Sequence, residues 1–434
     1  MEPLPGPPLE PAWTRLGILR PLRIRDFRLL WGGMSVSLIG DGIYLVAIAL
    51  QVYSMSDKPS ALALVGLAWT APMVVVLLLS GVLSDRLERR RLLIVADAIR
   101  FVAIGTMGVL VLADVVELWH LAALAAVYGV GEAIFYPSFS SLVPDLVPGD
   151  ETRIQANSLA QFMRPFAQTM LGPAIGGFLV EGLGAGWAFL ADAGTFVFSG
   201  VMVYLIRARG RPPRGGEATS ARQDLVDGIR YVRRNTWLLV AMLAATVNLL
   251  FFWGPFEVLV PFVVKNVLGG GGAQLGLIFA AGGAASVITA VVMGQRRLPR
   301  RPLTVMYGAW AIATGALIGF GMAESLWPMY LVSAGSSACM TILMIVWTTL
   351  MQRMVPAAYL GRVSSLDWML ATAGTPASYA LTGPVSSALG AQATLIGAGA
   401  VGAVVVISAA VLIPGARAPE RDGSLEPVPV AASP

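Results

Sequence analysis

Long apolar stretches follow one another along the chain, separated by short segments of charged, Gly- and Pro-rich sequence. The pattern predicts twelve helices, over residues 27–53, 61–84, 92–113, 118–142, 154–181 and 186–206, then 237–264, 273–294, 303–322, 326–351, 363–389 and 393–413. A helix crossing the hydrocarbon layer of a bilayer needs about 20 mostly apolar residues, and each stretch supplies them. Inside lipid every backbone N–H and C=O must be satisfied within the protein, which leaves helices or closed barrels. Barrel strands would show as alternating segments of roughly ten residues, whereas these runs are continuous. The fold class is therefore all-α membrane protein with about twelve spans.

Composition sharpens this reading. Of 434 residues 56% are hydrophobic and 13% charged, about half the charge of an ordinary soluble domain, and the mean hydropathy is +0.73. A net charge of +5 could point to nucleic acid, but the arginines sit between apolar runs, so no nucleic-acid partner is expected. Of the 30 Lys and Arg, 26 fall in the tails and the alternate connections on their side. Only Lys58 and Lys265 lie in the opposite set, and Arg100 and Arg164 lie within spans. Basic residues mark the cytoplasmic side, so both termini are expected inside. The first 27 residues lack the apolar core and cleavage site of a secretory signal. Cys339 is the single cysteine, which rules out a disulfide within the chain. His120 has no metal-ligand neighbours in sequence, and no metal is expected.

The charged, Pro- and Gly-rich segment at 207–236 divides the chain. The expected organisation is a cytoplasmic segment (1–26), a six-helix bundle (27–206), a linker (207–236), a second six-helix bundle (237–413) and a flexible tail (414–434). In the linker, Leu225, Ile229 and Val232 share a face among charges, as in an amphipathic helix on the membrane surface, although a solvated connector has the same composition. The two bundles echo each other. Gly81, Asp85, Arg86, Arg89 and Arg90 follow the second span, and Gly294, Arg296, Arg297, Arg300 and Arg301 follow the eighth. Val147-Pro148 with Arg153 likewise matches Val355-Pro356 with Arg362. Parallel repeats of this kind place a pathway at their interface near mid-membrane.

At these residues the chain resembles the major facilitator superfamily over essentially its whole length. The loop Gly81-x-x-Ser84-Asp85-Arg86-x-x-Arg89-Arg90-Arg91 is similar to that superfamily's inner gate motif between its second and third helices. Gly172-Pro173-x-x-Gly176-Gly177 is similar to the fifth-helix motif of its exporters, with Gln168 where that motif has an earlier glycine. Phe27-Arg28 through Trp31, followed by Gly40-Asp41-Gly42, resembles a bacterial subgroup that includes enterobactin exporters, macrolide efflux pumps and lysophospholipid transporters. The fourth helix has Ala125 where the superfamily carries an arginine, so that arginine's proton-coupling role does not carry over.

Charge inside the spans asks for a reason, because a charged side chain at mid-bilayer costs roughly 2.5–3.5 kcal/mol or more. Asp41 and Glu132 each lie about 14 residues into their spans and Arg164 about 10. Burial disfavours a carboxylate's charge and a nearby arginine favours it, so an acid held between the two can take up and release protons. Asp41 and Glu132 are the coupling candidates, and Arg164 is a partner for Glu132 or a contact for a substrate anion. A fixed structural ion pair is the alternative. Glu257, in the proline-interrupted Gly254-Pro255 segment, can line a cavity or sit in a wet surface site. Asp192 reads as an outer-end acid, and Asp97 as pairing with Arg100 one turn away.

The leading expectation is a proton-coupled exporter of amphipathic small molecules such as drugs or siderophores, monomeric and multi-pass in a bacterial plasma membrane. A lysolipid or lipid flippase, an uncoupled facilitator, and a non-transporting receptor stay open. No phosphate-binding loop of the G-x-x-x-x-G-K-[ST] type occurs, so the expected energy source is a proton gradient and no cofactor is needed. No constellation of nucleophile, base or metal ligands suggests an enzyme.

Overall fold

The computed structural model describes residues 17–86, 88–148, 150–207, 221–296 and 298–421, and among them there is no strand. Twelve long rods run through these residues. Spans one to four are Arg25–Met55, Pro59–Arg86, Arg89–Leu112 and Leu118–Leu146; span five is 150–183 and span six Ala185–Tyr204. Span seven is Thr236–Val267, and spans eight to twelve are Gly272–Gly294, Pro302–Gly321, Leu326–Met354, Ala357–Leu389 and Ala391–Leu412. Ten of these are long and apolar enough to cross a membrane. The other two are span five, which is broken into three pieces, and span eleven, which carries Asp367 among many Gly, Ser, Thr and Pro. Several rods run past the apolar stretch that marks them. Span eleven begins at Ala357 and span ten continues to Met354, because hydropathy registers the hydrocarbon-facing part while helical hydrogen bonding carries on into the polar layer.

Prolines account for the breaks. Pro165 and Pro173 each remove an N–H from the ladder of span five, and residues Arg164–Leu171 relax into a π-helix. Span seven contains π-turns at Pro255–Leu259 and Val263–Val267. A neighbouring helix repairs the first of these. Gly254 N donates to Ser378 Oγ (2.8 Å), and Ser378 Oγ donates to Leu250 O (2.9 Å), so the freed backbone groups stay bonded at a depth where water is scarce.

The packing shows the internal repeat directly. In the first half span one packs on six, three on six, two on four and three on four. Adding six to every number gives the pairs of the second half: seven on twelve, nine on twelve, eight on ten and nine on ten. Across the halves, two packs on eleven and five on eight, and the same operation exchanges these pairs. In the second half Asn248 ties three spans together. It accepts from Trp310 Nε1 (3.0 Å) and Thr314 Oγ1 (3.2 Å) and donates to Gly402 O (3.1 Å).

Both ends of the described chain lie at one end of the bundle. Arg207 N donates to Asp26 Oδ2 (3.1 Å), and Thr304 Oγ1 donates to Glu420 Oε2 (2.7 Å). The linker helix Ala221–Arg234 docks at this end on span eleven. Gly228 meets Leu366 and Arg362, Tyr231 stacks on Tyr359 at 4.8 Å, and Asp227 lies 3.6 Å from Arg362. Of the face that hydropathy picks out, Val232 is buried while Ile229 is 41% exposed. Which end is cytoplasmic can be read by labelling. With Cys339→Ser as background, a membrane-impermeant maleimide should reach Lys58→Cys and Arg301→Cys from opposite sides, and labelling of both from one side would overturn the topology.

Candidate functional site

The site grows from three consecutive residues of span one, the most deeply enclosed rod, 83% of whose apolar window is buried. At Gly40 the missing side chain admits Asp192 and Thr195 of span six, and at Gly42 it admits the backbone of span five at Gln168 and Gly172. Span one is thus clasped closely by two helices, and Asp41 between the two glycines is committed to the first half's interior. Tyr128 OH donates to Asp41 Oδ1 at 2.9 Å, and Arg100 Nη1 lies 4.0 Å from the same oxygen.

Arg100 is 1% exposed. Its guanidinium also pairs with Asp97, approaches Ser37 Oγ at 3.4 Å, and is sandwiched between the rings of Phe135 (4.1 Å) and Phe196 (4.4 Å). Aromatic faces attract a desolvated cation, so the group is held by two acids and two rings. Glu132 of span four is buried a short way off and accepts from Trp69 Nε1 at 2.9 Å. The rings of Trp69, Tyr44 and Tyr128 touch one another, with centroids 4.9–6.3 Å apart, and so join the donor of Glu132 to the donor of Asp41. Asp192 is fully buried. Thr195 Oγ1 lies 3.3 Å from its Oδ1, while Oδ2 has no partner. Asp41 and Asp97 thus face one buried guanidinium, Glu132 and Asp192 are buried without an ion pair to it among the described residues, and an unpaired charge in a low-dielectric interior is costly unless it takes a proton.

Arg164 stands within electrostatic range of Asp41 and Glu132 but forms no ion pair with either among the described residues. It is exposed, and its guanidinium lies over Tyr136 at 4.4 Å; Glu132 is held by Trp69 instead. Glu257 accepts a short hydrogen bond from Tyr379 OH. These two side chains, with Tyr44 and Trp69, line a cavity of about 30 Å³ between the halves, the size of one or two water molecules. The donor of Glu132 and the carboxylate Glu257 thus face one small space on the seam.

That seam is closed at the end away from the termini. Gly177 lies on the backbone of Gly272 and Gly276, Gly283 on Thr169 and Met170, Gly383 on Ser60, and the Tyr379 ring on Gly66. Tyr53 OH donates to Val258 O (2.6 Å), Asn266 Nδ2 to Asp57 (2.9 Å), and Ala273 N to Glu181 (2.7 Å). The exporter-type residues of span five divide their work here. Gly172 and Gly176 admit span one, Gly177 admits span eight, and Pro173 O faces Gly276. Of the inner gate motif, Gly81, Asp85 and Arg86 close the helix of span two, and the side chains of Asp85 and Arg86 lie outside what is described. Arg89 donates to Ser141 O (2.8 Å) and pairs with Asp145 (2.6 Å), while Arg90 bonds the carbonyls of Val203 and Tyr204. Both tie neighbouring helices of the first half together.

Three charged residues stand in other company than the sequence pattern suggests. Asp192 lies level with Gly40 in the interior rather than near an outer end. Arg100 faces Asp41 as well as Asp97. Asp367, a further acid on the less apolar span eleven, accepts from Trp347 Nε1 at 3.0 Å.

Residues 16–429 match the family described as transmembrane secretion effectors of the major facilitator superfamily. The multidrug efflux pump Tap of Mycolicibacterium fortuitum is 26% identical over 82% of this chain and 88% of its own. The enterobactin exporter EntS of Escherichia coli is 27% identical over 78% and 80%. The MFS-type transporter YfiS of Bacillus subtilis is 25% identical over 77% and 80%. Among solved structures, a bacterial homologue of the human lysosomal transporter Spinster, crystallised inward-facing and unoccupied, superposes with a TM-score of 0.68 at 14% identity, covering 95% of this chain and all of that one. A POT-family transporter bound to a thioalcohol-conjugated peptide gives 0.66 at 12% identity, over 88% and 95%. A repeat of six and six spans, a seam closed at one end and a match over nearly the whole length agree: the chain belongs to the transmembrane secretion effector family of major facilitator transporters.

Proposed function

We propose that the protein is a proton-coupled exporter of amphipathic small molecules, such as drugs or siderophores, that works as a monomer by alternating access across a bacterial plasma membrane. The observation that carries the coupling is the excess of buried carboxylates, Asp41, Asp97, Glu132 and Asp192, over buried guanidiniums, of which Arg100, facing Asp41 and Asp97, is the only one among the described residues. Such a site balances its charge by holding protons, and it adjoins the seam that must open and close, so the same protons can be taken up and released as the seam moves. Substrate of mixed character is suggested by the names of two relatives, a multidrug pump and an enterobactin exporter. With the seam closed at the far end, the halves can part toward the termini, and rocking about this contact would expose the site to either side in turn. Protonation of Asp41 or Glu132 from one side and release to the other would drive the cycle, with Arg164, exposed on span five, available to an anionic group.

Purified protein in sealed vesicles, offered a panel of drugs, siderophores and lysolipids, tests this reading. Accumulation of one drug or siderophore class should require an imposed pH gradient. Equal flux with and without the gradient would replace the proposal with an uncoupled facilitator, and translocation of lysolipid alone would replace it with a flippase.

A further inference from the structure

Far from the acid cluster, a groove of about 620 Å³ opens between the ends of spans eight and ten, on the side of the bundle that carries the termini. Its walls are Met293, Leu298, Ile345 and Thr349, and Arg296 and Arg353 stand at its mouth. Both arginines are exposed, and neither has a carboxylate within ion-pair distance among the described residues. On span ten Ile345, Thr349 and Arg353 follow one another at four-residue steps. Arg296 stands two residues beyond the end of span eight, and Met293 and Leu298 are its apolar neighbours along the same wall. Two guanidiniums beside the apolar side chains of Met293, Leu298 and Ile345 are complementary to an anion joined to a hydrocarbon chain.

We propose that this groove binds an anionic phospholipid, its phosphate held between the guanidiniums of Arg296 and Arg353 and an acyl chain lying along Ile345 and Met293. Guanidinium matches phosphate oxygens through paired N–H donors, and basic pockets between membrane helices are suited to acidic headgroups. A zwitterionic headgroup fits less well, because its amine would face the two arginines. A free phosphate would use the mouth of the groove and leave the apolar walls empty.

Titration of phosphatidylglycerol into the full-length protein in detergent, followed by native mass spectrometry, reads the site. One tightly held phosphatidylglycerol is expected, with phosphatidylcholine bound more weakly. The double variant Arg296→Gln/Arg353→Gln should weaken that binding about thirtyfold, from roughly 1 kcal/mol for each arginine near an anionic surface. Arg300→Gln/Arg301→Gln, charges outside the groove, should leave it unchanged. Thr349→Trp, which fills the groove and keeps both charges, should also displace the lipid. Equal retention by wild type and by the folded double variant, unchanged binding in Thr349→Trp, or displacement of the lipid by millimolar inorganic phosphate would each overturn the proposal.

Discussion

Arg100→Met is expected to destabilise the protein by about 3–5 kcal/mol, the usual cost of removing one partner from a buried ion pair. The size follows from the surroundings. Arg100 is 1% exposed, touches Asp97, faces Asp41 and fills the space between Phe135 and Phe196. Methionine restores some of the packing and none of the charge, leaving two carboxylates without a counter-ion. The double variant Asp97→Asn/Arg100→Met removes one of them and should recover part of the loss. Thermal unfolding in detergent micelles measures both variants. A single variant with wild-type stability would mean that the acids around Arg100 already lack charge, and the guanidinium would not be the balance point of the site.

Gly177→Leu is the second change with a large expected effect. Gly177 meets the backbone of Gly272 and Gly276 across the seam, so a leucine there pushes spans five and eight apart at the closed end. Overpacking of this kind costs about 1–3 kcal/mol, and because only the closed state bears the cost, its population should fall by roughly 5- to 150-fold. Transport should drop accordingly while the protein still folds, since neither half loses internal contacts. In the Cys339→Ser background, Leu45→Cys reports on the seam, because Leu45 lines the small cavity beneath it. A thiol reagent added from the far side should label it faster when Gly177 is also Leu. Unchanged labelling with wild-type transport would show that this contact does not gate the pathway.

The architecture was legible because a bilayer imposes one simple requirement, a continuous apolar run for each span. Twelve such runs and the echo between Asp85-Arg86 and Arg296-Arg297 led to a two-half helical bundle of the major facilitator kind. Helix ends were less legible, since polar ends such as 357–362 continue helical hydrogen bonding beyond the apolar layer. The acids Asp41 and Glu132 could be singled out by depth alone. Their partners could not, because partnership depends on which face of each helix turns inward. Trp69 rather than Arg164 bonds Glu132, and Arg100 serves Asp41 as well as Asp97. Asp192 was misjudged for a related reason. It is only eight residues into a 20-residue span, but the glycine opposite it on span one draws it into the interior. The π-turns of spans five and seven were foreshadowed by prolines, whereas their repair by Ser378 required a third helix to be in place.

If the buried acids carry the coupling proton, neutral replacements should uncouple gradient-driven transport. Vesicles holding wild type, Asp41→Asn or Glu132→Gln are loaded with substrate identified in the panel, and two fluxes are compared. One is accumulation driven by an imposed pH gradient, and the other is exchange of labelled for unlabelled substrate without a gradient. Loss of gradient-driven accumulation in at least one variant, with exchange preserved, is the predicted result. Full accumulation in both variants would contradict it, and the acids around Arg100 would then be structural members of the first half.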